Sequence, residues 1–524
     1  MGKRRHFFAR PGPAAGRRSV RGGPDSLPGR PQRQVRGKGG LTRVGRRGDF
    51  GGRVSMRRLK PMTITLLGAA GDVTGSAYWI EEGGDALLVD FGLFQGVKMA
   101  EDRNRLLRGL NVGRLRAVVL THAHLDHTGR LPLLVEGGYQ GPIYATPATR
   151  ELTELILHDS ARIQISDLDR VNRKRQRQAK PALEPLYTPE HVSTVLSLFR
   201  ALDYEQVEEV LPGIEVRLVE AGHMLGSATV ELTVRRGVPP RVLVFSGDLG
   251  PWGAPIIRDP VPIERADVVF LESTYGDRDH RPLAETIAEF KEILRAAVEQ
   301  KGKILVPTFA VGRAQVIMYV LAGMVHDGSL PKFPAFLDSP MALEATRIYS
   351  RHPELYDEEM LELLKTRHKG PCLQTVTPSV TADDSRALND QAGPCLIMAG
   401  AGMCNAGRIL HHLKQNLWRP ETWVVIVGYQ GPGSLGRQLV DGKKMVSVLG
   451  ERVAVQAQVR TLGGFSAHAG QADLLRWFGG MAASGPRVIL THGEERGREA
   501  LAAQLKQRHG IEAERPSAFE PIEV

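Results

Sequence analysis

The stretch RAVVLTHAHLDHTGRLP, residues 116–132, decides how the rest of the chain is read. Residues 117–120 (AVVL) form a uniformly apolar run, the kind found in a strand buried on both faces. Where such a strand would surface stand His122, His124, Asp126 and His127. Four ligand-type side chains within six residues make little sense as packing, whereas imidazole and carboxylate together suit zinc. Alternation along an extended loop points His122 and His124 to one side, and Asp126 and His127 can face a second ion beside the first. A polar turn with incidental histidines is the competing reading. A lone HxH would leave that reading open, but HxHxDH behind an apolar strand is a specific pattern.

At 524 residues the chain has room for two ordinary domains, each with its own core. It contains no run of 18 or more apolar residues, so no membrane span is expected. Cys372, Cys395 and Cys404 are few, odd in number and remote from the histidines. They point to a reducing, cytoplasmic setting without a disulfide framework, and leave any metal to histidine and carboxylate. The net charge of +11 is unevenly spread. Residues 1–60 carry 18 Lys or Arg against Asp25 and Asp49, a net of +16. The remainder holds 51 basic against 56 acidic residues, a net of −5.

Residues 1–60 are rich in Gly, Arg and Pro and are expected to be a disordered basic tail. Three readings compete for them. One is a flexible arm on nucleic acid phosphates. Another is a transit peptide, although serine is scarce and no amphipathic face is visible. The third places the true start at Met56 or Met62, directly before the first plausible strand at 62–67 (MTITLL).

From there the pattern is strand-rich. Asp90, in LLVDFGLFQG, stands at a strand end as either a turn cap or a residue orienting metal ligands. Residues 147–168 read as a helix, and 170–180 then carry six basic side chains in eleven, either a solvated face or a basic lip for a nucleic acid strand. His223 (EAGHMLGSA) and Asp248 (VLVFSGDLG) each follow another apolar strand, and Glu272 ends a third in VVFLESTYGDR. Strands and helices then alternate to about residue 450, which predicts a second domain with a covered parallel sheet, inserted into the first. Glycine-rich turns at 311–313, 400–407 and 431–436 begin helices there, with Arg313, Arg408 and Arg437 beside them, and read either as ordinary βα turns or as places where phosphates dock. His468 in LGGFSAHAG and His492 in RVILTHGEE close the series.

HAHLDH resembles the metal-binding signature of the metallo-β-lactamase fold, and DFGLFQG its first motif. Glu272, His468 and His492, in ESTYG, FSAH and THGE, resemble the three added motifs of the β-CASP nucleases. The seven motifs occur in order across residues 62–524. The resemblance implies an α/β fold: a metallo-β-lactamase αββα sandwich at 62–276 and 451–524, with a β-CASP domain inserted at 277–450, in the compact two-domain form. It implies two zinc ions per chain, one on His122, His124 and His223, the other on Asp126, His127 and His492, with Asp248 and a hydroxide between them. Asp126 and Asp248 would thereby share in catalysis, Asp90 would orient the ligands, and His468 would act as general acid beside Glu272. Single-stranded RNA is the implied substrate, cut mainly endonucleolytically, with 5′→3′ exonuclease activity as a companion, to 5′-phosphate and 3′-hydroxyl ends. Ser339 and Ser466 join the three arginines as RNA contacts, and a homodimer is expected. Two departures stand out: AGAGMCNAGR (399–408) lacks hydroxyls that relatives carry, and Pro432 stands where relatives commonly have an acidic residue. A hydrolase of small esters or thioesters and an inactive RNA-binding scaffold are the alternatives.

Overall fold

The strand after which the histidines stand runs Leu115–Val119, and its alternate side chains enter two different cores. Ala117 and Val119 face one, Val118 and Leu120 the other, which is why the run is apolar without alternation. The computed structural model describes residues 61–96, 100–105, 110–235, 239–366, 375–431 and 433–524; the tail over 1–60, Cys372 and Pro432 lie outside the described residues.

Two seven-stranded sheets stack face to face. The first runs through Pro521–Glu523, Thr63–Leu66, Tyr78–Glu82, Asp85–Val89, Leu115–Val119, Ile143–Ala145 and Phe199–Ala201. The second runs through Ala513–Glu514, Arg487–Thr491, Val268–Glu272, Arg241–Phe245, Ala228–Val234, Ile214–Glu220 and Val207–Leu211. Between them lie Ile64, Val89, Val119, Leu218, Phe245 and Phe270, each worth about 1.5–3 kcal/mol of burial. Helices cover both outer faces, Leu157 and Val192 packing on the first sheet and Trp477 and Leu501 on the second. This is the expected αββα sandwich.

A six-stranded sheet forms the inserted part. Its order is Thr377–Pro378, Ala335–Leu337, Cys395–Ala399, Lys303–Pro307, Trp423–Ile426, Gln458–Thr461, and every pairing is parallel. The chain leaves the sandwich after Val268–Glu272 and returns as Arg487–Thr491, pairing in parallel with that same strand. The expected boundary at 450/451 falls inside the hairpin Met445–Val448/Glu451–Ala454, and Gln458–Thr461 completes the six-stranded sheet beyond it. The inserted sheet therefore extends past 450.

The helix expected over 147–168 runs Pro147–Gln176, with Thr146 Oγ1 accepting from Thr149 N at 3.1 Å and Pro147 at its first turn. Most of the basic run is its exposed last turns, where Arg170 pairs with Asp167 at 2.6 Å and Arg175 reaches the Pro181 carbonyl at 2.7 Å. Among the described residues no helix is long and apolar enough to cross a membrane.

Candidate metal centre

His122, His223, Asp248, Glu272 and His492 follow or end the strands Leu115–Val119, Ile214–Glu220, Arg241–Phe245, Val268–Glu272 and Arg487–Thr491. The registers of the second sheet bring its four strand ends to one edge of the sandwich, and Ala228 N donating to the Thr121 carbonyl at 2.7 Å joins the end of Leu115–Val119 to them. Close backbone approach holds the edge together. Gly92 lies so near Asp126 that a Cβ there would stand 1.5 Å from its carbonyl oxygen, while Ser76 N and Phe91 N donate to the Asp126 and His127 carbonyls at 2.9 and 2.7 Å. Asp90 (φ +56°) and His492 (φ +47°) sit in the left-handed region, a strain of about 1–3 kcal/mol that the surrounding bonds sustain.

Three clusters result: His122, His124, His223 and Asp248; Asp126, His127 and His492; and Asp248, Glu272 and His468, the donor atoms in each lying within 4.8 Å of one another. The outward ring nitrogens of His122, His127, His223 and His492 are engaged. His122 Nδ1 meets Thr121 Oγ1 at 3.0 Å, His127 Nδ1 meets Asp90 Oδ2 at 2.7 Å, His223 Nδ1 meets the Ala467 carbonyl at 2.9 Å, and His492 Nδ1 meets Thr274 Oγ1 at 3.1 Å. That leaves each Nε2 pointing inward. His124 Nδ1 lies 3.1 Å from both His122 Nε2 and His223 Nε2, and His127 Nε2 lies 3.2 Å from His492 Nε2.

Ring nitrogens converging at that spacing are close to the ~3.3 Å edge of a tetrahedron drawn with zinc–nitrogen bonds. Asp248 spans both groups. Its Oδ2 stands 3.5 Å from His122 and 3.7 Å from His223, its Oδ1 3.3 Å from His127, and that buried Oδ1 has no hydrogen-bond partner. Burial holds His122, His124 and His223 below the usual imidazole value, His124 at about 4, so their rings are neutral with lone pairs free. Burial alone would raise Asp248, but the imidazoles, His492 first, hold it well below the usual carboxylate range. The donor set fits a metal cofactor.

His468 borders the centre without joining the two histidine groups. Its Nδ1 lies 3.4 Å from Glu272 Oε1 and its Nε2 3.9 Å from Asp248 Oδ2. Burial opposes protonation, yet Glu272 and then Asp248 lift the imidazole to about 9. Glu272 is itself anchored by Leu249 N at 2.8 Å, and Ser466 Oγ accepts from His468 N at 3.2 Å.

The proposed RNA contacts scatter. Ser339 caps the helix Pro340–Arg351 by accepting from Ala342 N at 3.2 Å. Arg408 Nη1 is tied to buried Asp338 at 2.7 Å, and half-exposed Arg437 to Asp441 at 2.8 Å. Arg313 is buried. Thr121, Thr274 and His280 hold the ligand frame from positions sequence reasoning passed over; Thr121 directly precedes His122 and Thr274 lies in ESTYG, so adjacency was the available signal.

Comparison with known proteins agrees with this arrangement. Residues 70–308 match the metallo-β-lactamase superfamily, 314–439 the β-CASP domain, and 452–516 the Zn-dependent metallo-hydrolase RNA specificity domain. A Thermus thermophilus protein named as a ribonuclease is 43% identical over 450 residues, 85% of this chain and 96% of its own. Transcription termination factor FttA of Pyrococcus horikoshii is 30% identical over 480 residues, covering 88% of this chain and 71% of its own, and that of Methanosarcina mazei is 29% identical over 476 residues with the same coverage. The chain belongs to the β-CASP branch of the metallo-β-lactamase superfamily.

Proposed function

We propose that this chain is a metal-dependent ribonuclease, that its centre holds two zinc ions on the ligand sets named above, and that it cuts single-stranded RNA mainly within the strand. The observation that carries this reading is the protonatable His468, braced by Glu272, beside Asp248 at the edge of two converging ligand groups. When bound, zinc supplies Lewis acidity, lowering the pKa of a water and neutralising charge on the non-bridging phosphate oxygens. The residues do the rest. Asp90 and Thr121 fix the histidine rings, with Thr121 Oγ1 donating to Asp90 Oδ2 at 2.8 Å. Glu272 keeps Nδ1 of His468 engaged, so Nε2 carries the transferable proton. As water oxygen bonds to phosphorus and the P–O3′ bond breaks, that proton passes to the leaving oxygen, giving 3′-hydroxyl and 5′-phosphate ends.

A polymer suits the surroundings better than a small ester. Phe309 and Tyr429 are 41% and 43% exposed and follow the strands Lys303–Pro307 and Trp423–Ile426 at the carboxyl edge of the inserted sheet. Tyr429 reaches Glu494, two residues from His492, at 3.5 Å, so this edge borders the centre and offers rings on which bases can stack. We place the inserted domain at 277–461, with the sandwich on either side. The buried free thiols Cys395 and Cys404 support a cytoplasmic setting, and the homodimer is a matter for sedimentation.

The test is cleavage of 5′-labelled single-stranded RNA by wild type and His468→Ala, with metal content measured for each. Internal fragments are expected from wild type, with a loss of about 10²–10⁴-fold in the variant at unchanged metal content. Metal-loaded wild type that spares RNA but hydrolyses a small ester overturns the reading.

A further inference from the structure

Among the described residues three arginines are buried, and although Arg498 Nε also lacks an acceptor, Arg313 is the one whose side chain makes no hydrogen bond at all. Arg130 donates to the Gly92 and Gly75 carbonyls and lies over Phe91 and Phe94. Arg498 donates to Glu495 and the Pro516 carbonyl. Arg313, only 9% exposed, has no carboxylate partner and donates no side-chain hydrogen bond among the described residues; its Nε is sealed from solvent with no acceptor. A guanidinium so placed has its Nε shut away without an acceptor while its two terminal nitrogens still reach solvent, an arrangement that an anion at those nitrogens would complete.

Position says which anion. Arg313 opens the helix Arg313–His326, behind Gly312 at φ +80° and directly after the carboxyl end of the strand Lys303–Pro307. The amides of Arg313 and Ala314 are already engaged by the Val311 and Phe309 carbonyls at 3.1 and 3.2 Å, so the side chain is the free donor of this turn. Its charge is felt by Tyr275 and His280. The Tyr275 ring lies 6.2 Å from that of His468, tilted by 55°, and His280 Nε2 meets the His468 carbonyl at 3.0 Å. Of the three arginines beside glycine turns, Arg408 and Arg437 are each held by an aspartate, which leaves Arg313 alone for a ligand.

We propose that Arg313 is a phosphate-binding residue, taking one backbone phosphate of the RNA strand beside the scissile bond so that the leaving oxygen is presented to His468. The subsite rests on the ribonuclease reading, which it refines by fixing where the strand is gripped. A guanidinium there offers a forked, bidentate contact that an ammonium cannot reproduce.

The experiment compares metal-loaded wild type, Arg313→Met and Arg313→Lys for RNA cleavage, binding of a non-cleavable 2′-O-methyl oligoribonucleotide, metal content and thermal stability. Arg313→Met is expected to weaken oligonucleotide binding and raise KM about 10- to 100-fold, with Arg313→Lys between it and wild type. Its salt-dependence slope should fall by about 0.7. Metal content should hold and Tm should rise, because an unpaired buried charge has gone. A set of substrates each carrying one neutral methylphosphonate should show one linkage whose substitution impairs wild type but leaves Arg313→Met no worse. Overturning results are a lower Tm with unchanged binding, which assigns Arg313 to the fold, or a methylphosphonate profile identical in both proteins. Wild type that binds the oligonucleotide through Arg313 yet never cuts RNA defeats the ribonuclease reading and keeps the subsite. Wild type that cuts normally with binding indifferent to Arg313 does the reverse.

Discussion

Two buried aspartates, Asp248 at the edge of the sandwich and Asp338 in the inserted sheet, each stand just past a strand end against histidine, and their surroundings differ in completeness. Asp338 Oδ1 accepts from Ser379 Oγ at 2.6 Å and Arg408 Nη1 at 2.7 Å; Oδ2 accepts from Ser385 Oγ at 2.6 Å and His412 Nε2 at 2.7 Å. Four donors fill the sites a carboxylate offers, and nothing is left to bind. Asp248 faces five histidine rings with Oδ1 unpartnered, and the inward ring nitrogens crowd to 3.1–3.2 Å of one another. Both places set a buried aspartate against imidazole. Unsatisfied acceptors, not histidine and aspartate as such, separate a ligand centre from a structural knot.

Asp248→Asn is the largest test of that contrast. The amide removes the charge between the two ligand groups, so metal content should fall and RNA cleavage should drop at least about 10³-fold. Chelator-treated wild type and variant should differ little in Tm, since the site contributes through the metal. A variant retaining metal and full activity would put Asp248 in the closed class with Asp338.

Asp338→Asn should behave in the opposite way. Removing a buried charge that holds Arg408 and three further donors should lower stability by about 3–5 kcal/mol, with metal content unaffected in the protein that remains folded. The sign with pH follows from the same bonds. Burial would raise the Asp338 carboxyl, but His412, Ser379, Ser385 and Arg408 hold it well below the usual carboxylate range. Its contribution is therefore full above about pH 4 and is lost as pH falls further, and the asparagine variant should lack that acid-dependent part in urea titrations at pH 7 and below 4. Equal losses at both pH values would mean that charge is not what the network uses.

These two sites also explain how far the sequence could be read. The candidate metal centre was legible because His122, His124, Asp126 and His127 are packed into a few residues behind an apolar strand, and the other residues of its clusters repeat that setting. The Asp338 network draws on single, ordinary residues at 338, 379, 385, 408 and 412, and no local pattern joins them. Arg408 therefore read as an RNA contact from its glycine neighbours, while the fold ties it to Asp338. The end of the inserted sheet was missed for a related reason: Gln458–Thr461 is a polar, partly exposed edge strand without an apolar run. The basic run at 170–180 read as either a solvated helix face or a basic lip, and the helix does run on through it to Gln176 with most of those side chains exposed.

A smaller test probes the frame around the ligands. Thr121 Oγ1 donates to Asp90 and meets His122 Nδ1, linking carboxylate to ring through one hydroxyl. Thr121→Val keeps the shape and breaks the link, and should weaken metal affinity about 10- to 100-fold in chelator competition. Unchanged affinity would mean that packing alone aims His122.

Glu220 supplies a third buried carboxylate, intermediate between the other two. It ends the strand Ile214–Glu220 near His223, accepts from Gly222 N at 3.0 Å, and has Tyr204 and Arg258 as further neighbours. Burial outweighs these partners and lifts it to about 7. A carboxyl raised on folding favours the folded state fully below its unfolded value near 4.5, and that contribution is lost as pH rises through about 7. Glu220→Gln, which keeps an acceptor for Gly222 and no charge, should match wild type at pH 4 and exceed it by about 3 kcal/mol at pH 8. Melts at the two pH values decide it. A glutamine variant weaker than wild type at pH 8 would show an ionised Glu220 stabilised by Arg258, and would move this carboxylate into the closed class that Asp338 defines.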